Sequence, residues 1–550
     1  MPEFAQAQIS QQGRSQTRQQ ADPGRFEQRF EAPSKPRSTV VPVQPDNLKP
    51  AEPEELKKIR FFLNKIIISG ATVYSEKQFA YLSRNFLRRE VSLAHVYRMA
   101  AAITARYRND GYILSKAVVP PQEIVDGVIR LRIIEGYIDE INVKGDVQGP
   151  KKLINAFRKK LLSSRPLHSS DLERYLLLAD DLPGVTVKSV ITPSRDRPGA
   201  SRLDLILENK SYDAQVSLDN RGTDFNGPVQ FSMGLTANSP LKMYDRIGLQ
   251  SVITSQTDEL KFISGFYDTP LNGEGTRFQI SGSYANSQPG DTLELFEVDG
   301  TSTSLGFRVT HPFIRSRGEN LTAFAGLNVK SSETDILETA DSEDRLRVFE
   351  LGASYDYADS FRGVNLFSIS LSKGLNIFNA TESGFERLTR EAGRSDFTKL
   401  SGQMMRLQEI APSWMLQGSF AWQYAFNPLL ASEEFGFGGS RFGRAYDSSE
   451  ITGDTGLAFK VEFQKAIGVN KPWLQDLQAY TFFDYGTVWT RARTVNGEKR
   501  QDRYSAGIGT RFNLNSYISG YVEMNKPLDE VVSSTGDDDP RFFFGLTARY

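Results

Sequence analysis

The chain has 550 residues and a net charge of −1, so we expect more than one domain and no basic surface for nucleic acid. It contains no cysteine, which excludes disulfides, thiolate zinc sites and cysteine nucleophiles. The three histidines, His95, His168 and His311, are far apart in the sequence, and we predict no metal site, no cofactor and no enzyme activity.

No segment approaches the roughly 18 to 20 apolar residues that a membrane-spanning helix needs. The mean hydropathy of −0.41 fits a soluble protein, and it fits equally well a transmembrane β-barrel with a polar lumen. The opening "MPEFAQAQIS" has no basic stretch followed by an apolar core, so we expect a mature N-terminus rather than a signal peptide.

Residues 1–56 are rich in Gln, Arg, Pro and Ser, and almost no aliphatic side chain occurs before Val40. Such a segment buries too little apolar surface to offset the entropy lost on ordering, so a disordered tail is the simplest interpretation. The alternative is a short polar helix near residues 4–20, followed by a proline-bearing linker.

Residues 57–136 and 137–209 have the pattern of two tandem copies of one β-α-α-β-β motif. In the first copy "FFLNKIIISG" predicts one opening strand, and two helices and the strands "YILSKAVV" and "GVIRLRIIEG" follow. In the second copy "IDEINVKG" precedes two helices and the strands "VTVKSVITP" and "SRLDLILEN". The buried face predicted for the second helix of the first copy consists of Val96, Met99, Ile103 and Tyr107. This repeat predicts two small α/β domains.

From residue 210 to residue 550 no helical period is sustained, and segments of alternating polarity recur instead. Examples are "SYDAQVSLDN", "PVQFSMGLTA", "RFQISGSYA", "AYTFFDYGTVW" and the final "RFFFGLTARY". Alternation predicts strands with one apolar face. A soluble β-sandwich is one interpretation. A membrane barrel is favoured because many segments have the length of about 9 to 11 residues that a tilted spanning strand needs, and because their polar faces suit a wet lumen.

Several longer strings resemble one family. They include "GYILSKAVVPPQ" (Gly111–Gln122), "DLPGVTVKSVITP" (Asp181–Pro193), "HPFIRSRGENL" (His311–Leu321) and "GVNLFSISLSKGL" (Gly363–Leu375). They are similar to the outer-membrane transporters of two-partner secretion of the FhaC/ShlB/HecB type, the TpsB branch of the Omp85 superfamily.

The resemblance implies a multidomain architecture. Two tandem POTRA domains would occupy residues 57–136 and 137–209 in the periplasm, and residues 210–550 would form a 16-stranded antiparallel transmembrane β-barrel in the outer membrane. Residues 1–56 would supply an N-terminal plug helix and a linker.

The resemblance also implies that a loop at about residues 433–455 folds back into the barrel. Its tip in the family carries a Val-Arg-Gly-Tyr/Phe motif, which is matched here by Gly443, Arg444, Ala445 and Tyr446. Glycine replaces the valine and alanine replaces the glycine, which puts the backbone of the tip in question. The arginine and the aromatic side chain are retained.

The family partner of this arginine lies in an F-x-D-x-G strand motif, matched here by Asp484 and Gly486 in "TFFDYGTVW". Alternation directs Phe483 and Tyr485 to the lipid and therefore sends Asp484 and Gly486 into the lumen, where Gly486 would leave room for the loop tip. Glu462 faces the same way and is a second candidate acceptor. An arginine inside a barrel wall needs such a partner because an unpaired desolvated charge costs several kcal/mol.

The function implied is a monomeric pore that recognises one unfolded exoprotein through its POTRA domains and passes it to the cell surface without ATP. The partner would be a secreted TpsA-type protein, which is an adhesin, a cytolysin or a contact-dependent toxin, and the barrel would contact outer-membrane lipid. An Omp85-type assembly factor that inserts other barrels is the alternative. A soluble surface enzyme is a third class, but the glycine-rich "FGFGG" is not followed by the lysine of a phosphate-binding loop.

Overall fold

The computed structural model describes residues 22–31, 34–39, 54–145, 149–469, 471–491 and 500–550. The chain divides into two compact units, Val41–Lys210 and a second unit that joins Met1–Val40 to Ser211–Tyr550. The helix predicted near residues 4–20 lies outside the described residues. Helix α1 (Phe26–Phe30) follows a 3₁₀ turn at Pro23–Arg25 in the second unit. Within the described ranges, no helix combines the length and the apolar character needed to cross a membrane.

The unit Val41–Lys210 contains two α/β repeats. The first consists of helices α2 (Glu54–Lys58), α3 (Ala80–Ser83) and α4 (Leu93–Asn109) with strands β1 (Arg60–Leu63), β2 (Lys65–Ser69), β3 (Arg89–Ser92), β4 (Lys116–Val118) and β5 (Val128–Ile134). The second consists of β6 (Tyr137–Gly145), α5 (Lys151–Ser163), α6 (Ser169–Asp180), β7 (Val185–Pro193) and β8 (Ala200–Asn209).

The sheets of the two repeats have the same topology. In the first, β2 runs parallel to β5 and β4 pairs antiparallel with the other side of β5. In the second, β6 runs parallel to β8 and β7 pairs antiparallel with β8. A parallel pair needs a crossover, and the helices between the strands supply it. The β-α-α-β-β motif read from the sequence is therefore present in the second copy, and the first copy carries it with two additional strands, β1 and β3, which pair with each other.

Helix α4 covers the sheet of the first repeat with the predicted face. Val96, Met99, Ile103 and Tyr107 are all buried against Ile129 and Leu131 of β5. Each helical turn thus places an aliphatic or aromatic side chain on the sheet, and burial of such a side chain contributes about 1.5–3 kcal/mol.

Glu135, at the end of β5, ties this repeat together. Its carboxylate accepts hydrogen bonds from Thr72, from the Val73 amide and from the Tyr107 hydroxyl. Burial by itself raises the pKa of Glu135, but these hydrogen bonds outweigh it and hold the pKa below its ordinary value of 4.5.

The single strand predicted from "FFLNKIIISG" is wrong, because the segment forms two strands with different partners. β1 pairs with β3 and β2 pairs with β5. The break falls at Asn64, whose amide and side chain donate to the carbonyls of Gly127 and Asp126. An asparagine side chain competes with the sheet for backbone partners in this way.

The unit containing Ser211–Tyr550 is a closed antiparallel barrel. Its strands are β9 (Tyr212–Asp219), β10 (Gln230–Asn238), β11 (Arg246–Thr254), β12 (Lys261–Pro270), β13 (Arg277–Ser287), β14 (Asp299–Arg315), β15 (Glu319–Ile336), β16 (Thr339–Ala358), β17 (Gly363–Gly374), β18 (Thr398–Ala411), β19 (Trp414–Ala425), β22 (Thr455–Ile467), β23 (Asp476–Trp489), β24 (Arg500–Asn513), β25 (Ile518–Pro527) and β26 (Arg541–Arg549). The last strand, β26, pairs with β9 and closes the ring. The predicted barrel of 16 strands is confirmed, and the β-sandwich interpretation is wrong.

The faces of the strands alternate as the sequence predicts. On β26, Phe542, Phe544 and Leu546 are 66%, 41% and 45% exposed on the outer surface. On β23, Asp484 faces inward and is fully buried, whereas its neighbour Phe483 is exposed. An apolar outside and a polar inside are the pattern of a membrane barrel, in which closure leaves no strand edge unpaired.

The described residues 22–31 lie inside the barrel. Phe26 and Phe30 pack against Val252, Phe262 and Ala285, whose neighbours along the strands are exposed on the opposite, outer face. The ring centroids of Phe30 and Phe262 are 4.9 Å apart. This segment therefore occupies part of the lumen.

Candidate functional site

A long loop, residues 426–454, connects β19 to β22 and turns back into the barrel. Its two arms pair as a short hairpin of β20 (Phe435–Phe437) and β21 (Ile451–Gly453). Gly438 and Gly439 follow β20 with φ of +123° and +92°, a backbone region that other residues rarely adopt. The glycine-rich sequence thus turns the chain sharply into the tip.

Arg444, at the tip, is bound to the barrel wall. Its side chain is 3% exposed and donates from Nε to Oδ2 of Asp484 at 3.0 Å and from Nη2 to Oδ1 at 2.9 Å. The backbone amides of Gly443 and Arg444 donate to the same carboxylate at 3.1 Å. The guanidinium also lies over the ring of Phe482, 3.4 Å from its centroid. This bidentate geometry fixes the orientation of the arginine as well as its position.

Glu462 of β22 is the second acceptor for Arg444, as the sequence suggested. It accepts from Nη1 of Arg444 and, on its other side, from Arg511 of β24 at 2.6 Å. The Glu462 side chain is 1% exposed. Two carboxylates and two guanidinium groups therefore form one cluster, in which Arg444, Glu462 and Asp484 are buried and Arg511 is 40% exposed.

The glycines of the motif make room for an aromatic ring. A Cβ on Gly443 would lie 2.6 Å from the Phe437 ring, and a Cβ on Gly486 would lie 2.1 Å from it. Gly486 therefore accommodates Phe437 of the loop hairpin, whereas the sequence had suggested the tip itself. Phe437 is fully buried between the two glycines.

The two departures from the family motif have simple backbone explanations. Gly443, where the family has valine, has φ of +74°, which glycine adopts without strain. The φ angle of Ala445 is not positive, so this position does not need a glycine. The Ala445 side chain is fully buried. Tyr446 donates its hydroxyl to Asp529 at 2.6 Å.

Three further residues hold the backbone of the tip and were missed from the sequence. Arg221, just after β9, and Asn525 of β25 both donate to the carbonyl of Arg444, at 2.9 and 3.0 Å. Arg541 of β26 donates to the carbonyl of Ala445 at 3.0 Å. The alternation of side chains in "YVEMNKP" predicts that Asn525 faces the lumen. No local sequence pattern identifies Arg221 as a partner of the loop.

The base of the loop carries a second buried charge cluster. Glu434 pairs with Arg25 of the N-terminal segment at 2.8 Å and with Arg390 of the β17–β18 loop at 2.9 Å. Arg390 also pairs with Asp454 at the other end of the loop, at 2.6 Å. The loop is therefore held at its tip by the wall and at its base by two other segments.

Comparison with known proteins agrees with this architecture. The profile of the family described as haemolysin secretion/activation protein ShlB/FhaC/HecB matches residues 199–512, more than half of the chain. The profile of the POTRA domain of ShlB type matches residues 61–136, the first α/β repeat.

Curated relatives and a solved structure extend the likeness over most of the chain. The heme/hemopexin transporter protein HuxB of Haemophilus influenzae (strain 86-028NP) is 24% identical over 480 residues, 85% of this chain and 83% of that protein. The outer membrane transporter CdiB of Escherichia coli O6:K15:H31 (strain 536 / UPEC) is 23% identical over 485 residues, 85% of this chain and 79% of that protein. The structure of CdiB from Escherichia coli aligns with a TM-score of 0.72 and 18% identity, covering 98% of both chains.

The family match, the POTRA repeat and the closed barrel lead to one conclusion. The chain belongs to the haemolysin secretion/activation family ShlB/FhaC/HecB and is an outer-membrane translocator of two-partner secretion, with its POTRA domains in the periplasm.

Proposed function

We propose that this translocator exports a single unfolded exoprotein, and that the loop anchored by Arg444 is the element on which transport depends. The observation that carries the proposal is the anchor itself, in which the tip arginine is enclosed and paired with two wall carboxylates. Burying an ion pair costs free energy unless its geometry is well satisfied. A loop with no role in transport would not need such a pair to hold it in the lumen.

Capture of the cargo begins at the POTRA domains. β7 (Val185–Pro193) stands at an edge of its sheet and pairs on one side, with β8. Its Val190 is 51% exposed. An extended peptide can add to such an edge by main-chain hydrogen bonds. This mode suits an unfolded exoprotein because an extended chain exposes the main-chain groups that pair with the edge strand, in addition to its side chains.

The N-terminal segment, residues 1–30, is the resting plug in this proposal. The support comes from residues 22–31, which occupy the lumen through the Phe26 and Phe30 packing and the Arg25–Glu434 ion pair. When Arg25 leaves, Glu434 keeps Arg390 as its partner. Asp22, buried beside Arg25 at 3.8 Å, leaves with it, so this ion pair departs as a unit. After release, Glu434 and Asp454 share Arg390 as their common cation. Because Asp22 and Arg25 leave together, the net charge of the wall cluster does not change.

Transport needs no ATP because folding of the cargo outside the cell withdraws extended chain from the pore. The exported partner is a TpsA-type adhesin, cytolysin or contact-dependent toxin, and the pore works as a monomer in contact with outer-membrane lipid.

Deletion of the gene, followed by proteomics of the culture medium and of the outer membrane, tests the proposal. We expect one exoprotein to disappear from the surface and medium while other barrel proteins keep their levels. Loss of many outer-membrane proteins would instead support the assembly-factor alternative.

A further inference from the structure

An apolar groove of about 620 Å³ lies on the outer face of β22–β25, on the lipid side of the wall that holds Arg444 inside. Its volume falls within the roughly 300–1,000 Å³ of ligand-binding pockets. Bulky side chains flank it, namely Phe463, Ile508, Val522 and Met524, all between 40% and 55% exposed. The groove is therefore open to the bilayer.

The register of the strands explains why the wall is hollow there. One row of cross-strand neighbours runs from Lys465 to Ala479, Thr510 and Val522. The adjacent row places Thr481 between Phe463 and Ile508. Small side chains at the middle of both rows leave a depression between large ones.

The groove has a positively charged end at the periplasmic rim. β9 starts directly after the periplasmic unit, and the strands alternate in direction from there, so β22 ends on the periplasmic side at Ile467. Lys465 lies two residues before that end, and its Nζ is 4.7 Å from the ring centroid of Trp414. A tryptophan and a lysine at this depth form the amphipathic boundary typical of a membrane interface.

We propose that this groove binds one phospholipid of the periplasmic leaflet, with its phosphate paired to Lys465 and an acyl chain lying over Ala479, Thr481 and Thr510. β22 to β25 each pair with a strand on both sides, so the wall offers no edge for the backbone of a bound peptide. An acyl chain has no backbone groups to satisfy. The phosphate supplies the negative charge that complements Lys465.

The test is native mass spectrometry of the full chain in mild detergent, titrated with phosphatidylglycerol. The wild type should retain one lipid. Lys465→Gln should weaken retention about fivefold, which corresponds to about 1 kcal/mol for one interfacial lysine. The matched control is Lys526→Gln, which removes a lysine that lies on the same outer wall near its extracellular end and pairs with Asp538 at 2.9 Å. The control should bind as the wild type does.

A second variant, Thr481→Phe, fills the groove without touching the charge. It should abolish retention while leaving a barrel that still migrates differently when boiled. If the wild type retains no lipid, or if either Lys465→Gln or Thr481→Phe retains lipid as the wild type does, the proposal is overturned. A dimer mass that Thr481→Phe removes would mean that a second copy of the chain occupies the groove, and this would also overturn the proposal.

Discussion

Asp484→Ala removes the carboxylate on which the loop tip rests, and its cost can be worked out from the structure. Asp484 is fully buried and receives four hydrogen bonds, two from the Arg444 side chain and two from the amides of Gly443 and Arg444. Arg444 is itself only 3% exposed and would keep Glu462 alone as a carboxylate partner. Breaking a buried ion pair from one side costs about 3–5 kcal/mol.

That cost falls on docking of the loop, because the hydrogen bonds that close the barrel do not involve these side chains. A loss of about 3–5 kcal/mol shifts the balance between docked and undocked loop by roughly a hundredfold to a few thousandfold. We therefore expect Asp484→Ala and Arg444→Ala to insert as heat-modifiable barrels and to lose most cargo secretion. Arg444→Lys keeps the positive charge but cannot make the bidentate contact of a guanidinium with Asp484, so it should secrete at an intermediate level.

The assay compares secreted cargo with the amount of barrel in the outer membrane. Arg308→Ala is the matched control, because Arg308 also faces the lumen and pairs with a carboxylate, Glu350, at 3.0 Å. It should secrete normally. If Asp484→Ala and Arg444→Ala also secrete normally, the loop is not the functional element and the proposal is wrong.

Three other changes should have distinct effects. Deleting residues 1–30 should raise conductance in planar bilayers while secretion largely persists, and unchanged conductance would show that the segment does not block the pore. Gly486→Ala should impair secretion because the added Cβ collides with the Phe437 ring. The double variant Gly486→Ala/Phe437→Leu should recover part of the lost secretion. If it recovers none, the collision with Phe437 is not the cause of the defect. Glu135 has a lowered pKa, so its contribution to the stability of the periplasmic unit is present above pH 4.5 and is lost as the pH falls through the lowered value. The melting temperature of Val41–Lys210 should fall with pH in the wild type and fall less in Glu135→Gln. Equal slopes of melting temperature against pH in the two proteins would contradict this role of Glu135.

Much of the barrel could be predicted because its signal is local. Strand alternation depends on neighbours two residues apart, so the outer face of β26 and the inward direction of Asp484 could be read from the sequence. The same period also identified Glu462 as a lumenal acceptor. The tandem POTRA motif could be recognised because the two copies follow each other directly in the sequence and show the same order of helical and strand periodicity.

The rest depends on contacts between segments that are distant in the sequence. Arg221 and Arg444 are 223 positions apart, and Arg25 and Glu434 are 409 apart. Neither pair leaves a periodic signal. The break of the first strand at Asn64 was missed for a related reason, since its partners are the carbonyls of Asp126 and Gly127 on a later turn.

The most direct test of the central claim is transport by the purified protein. The full chain would be reconstituted into liposomes, and the exoprotein that disappears on deletion of the gene would be added unfolded, without ATP, on the side exposing the POTRA unit. We predict that the exoprotein reaches the lumen, where it becomes protected from protease, and that Arg444→Ala vesicles admit almost none. Equal protection in wild-type, Arg444→Ala and protein-free vesicles would contradict the account.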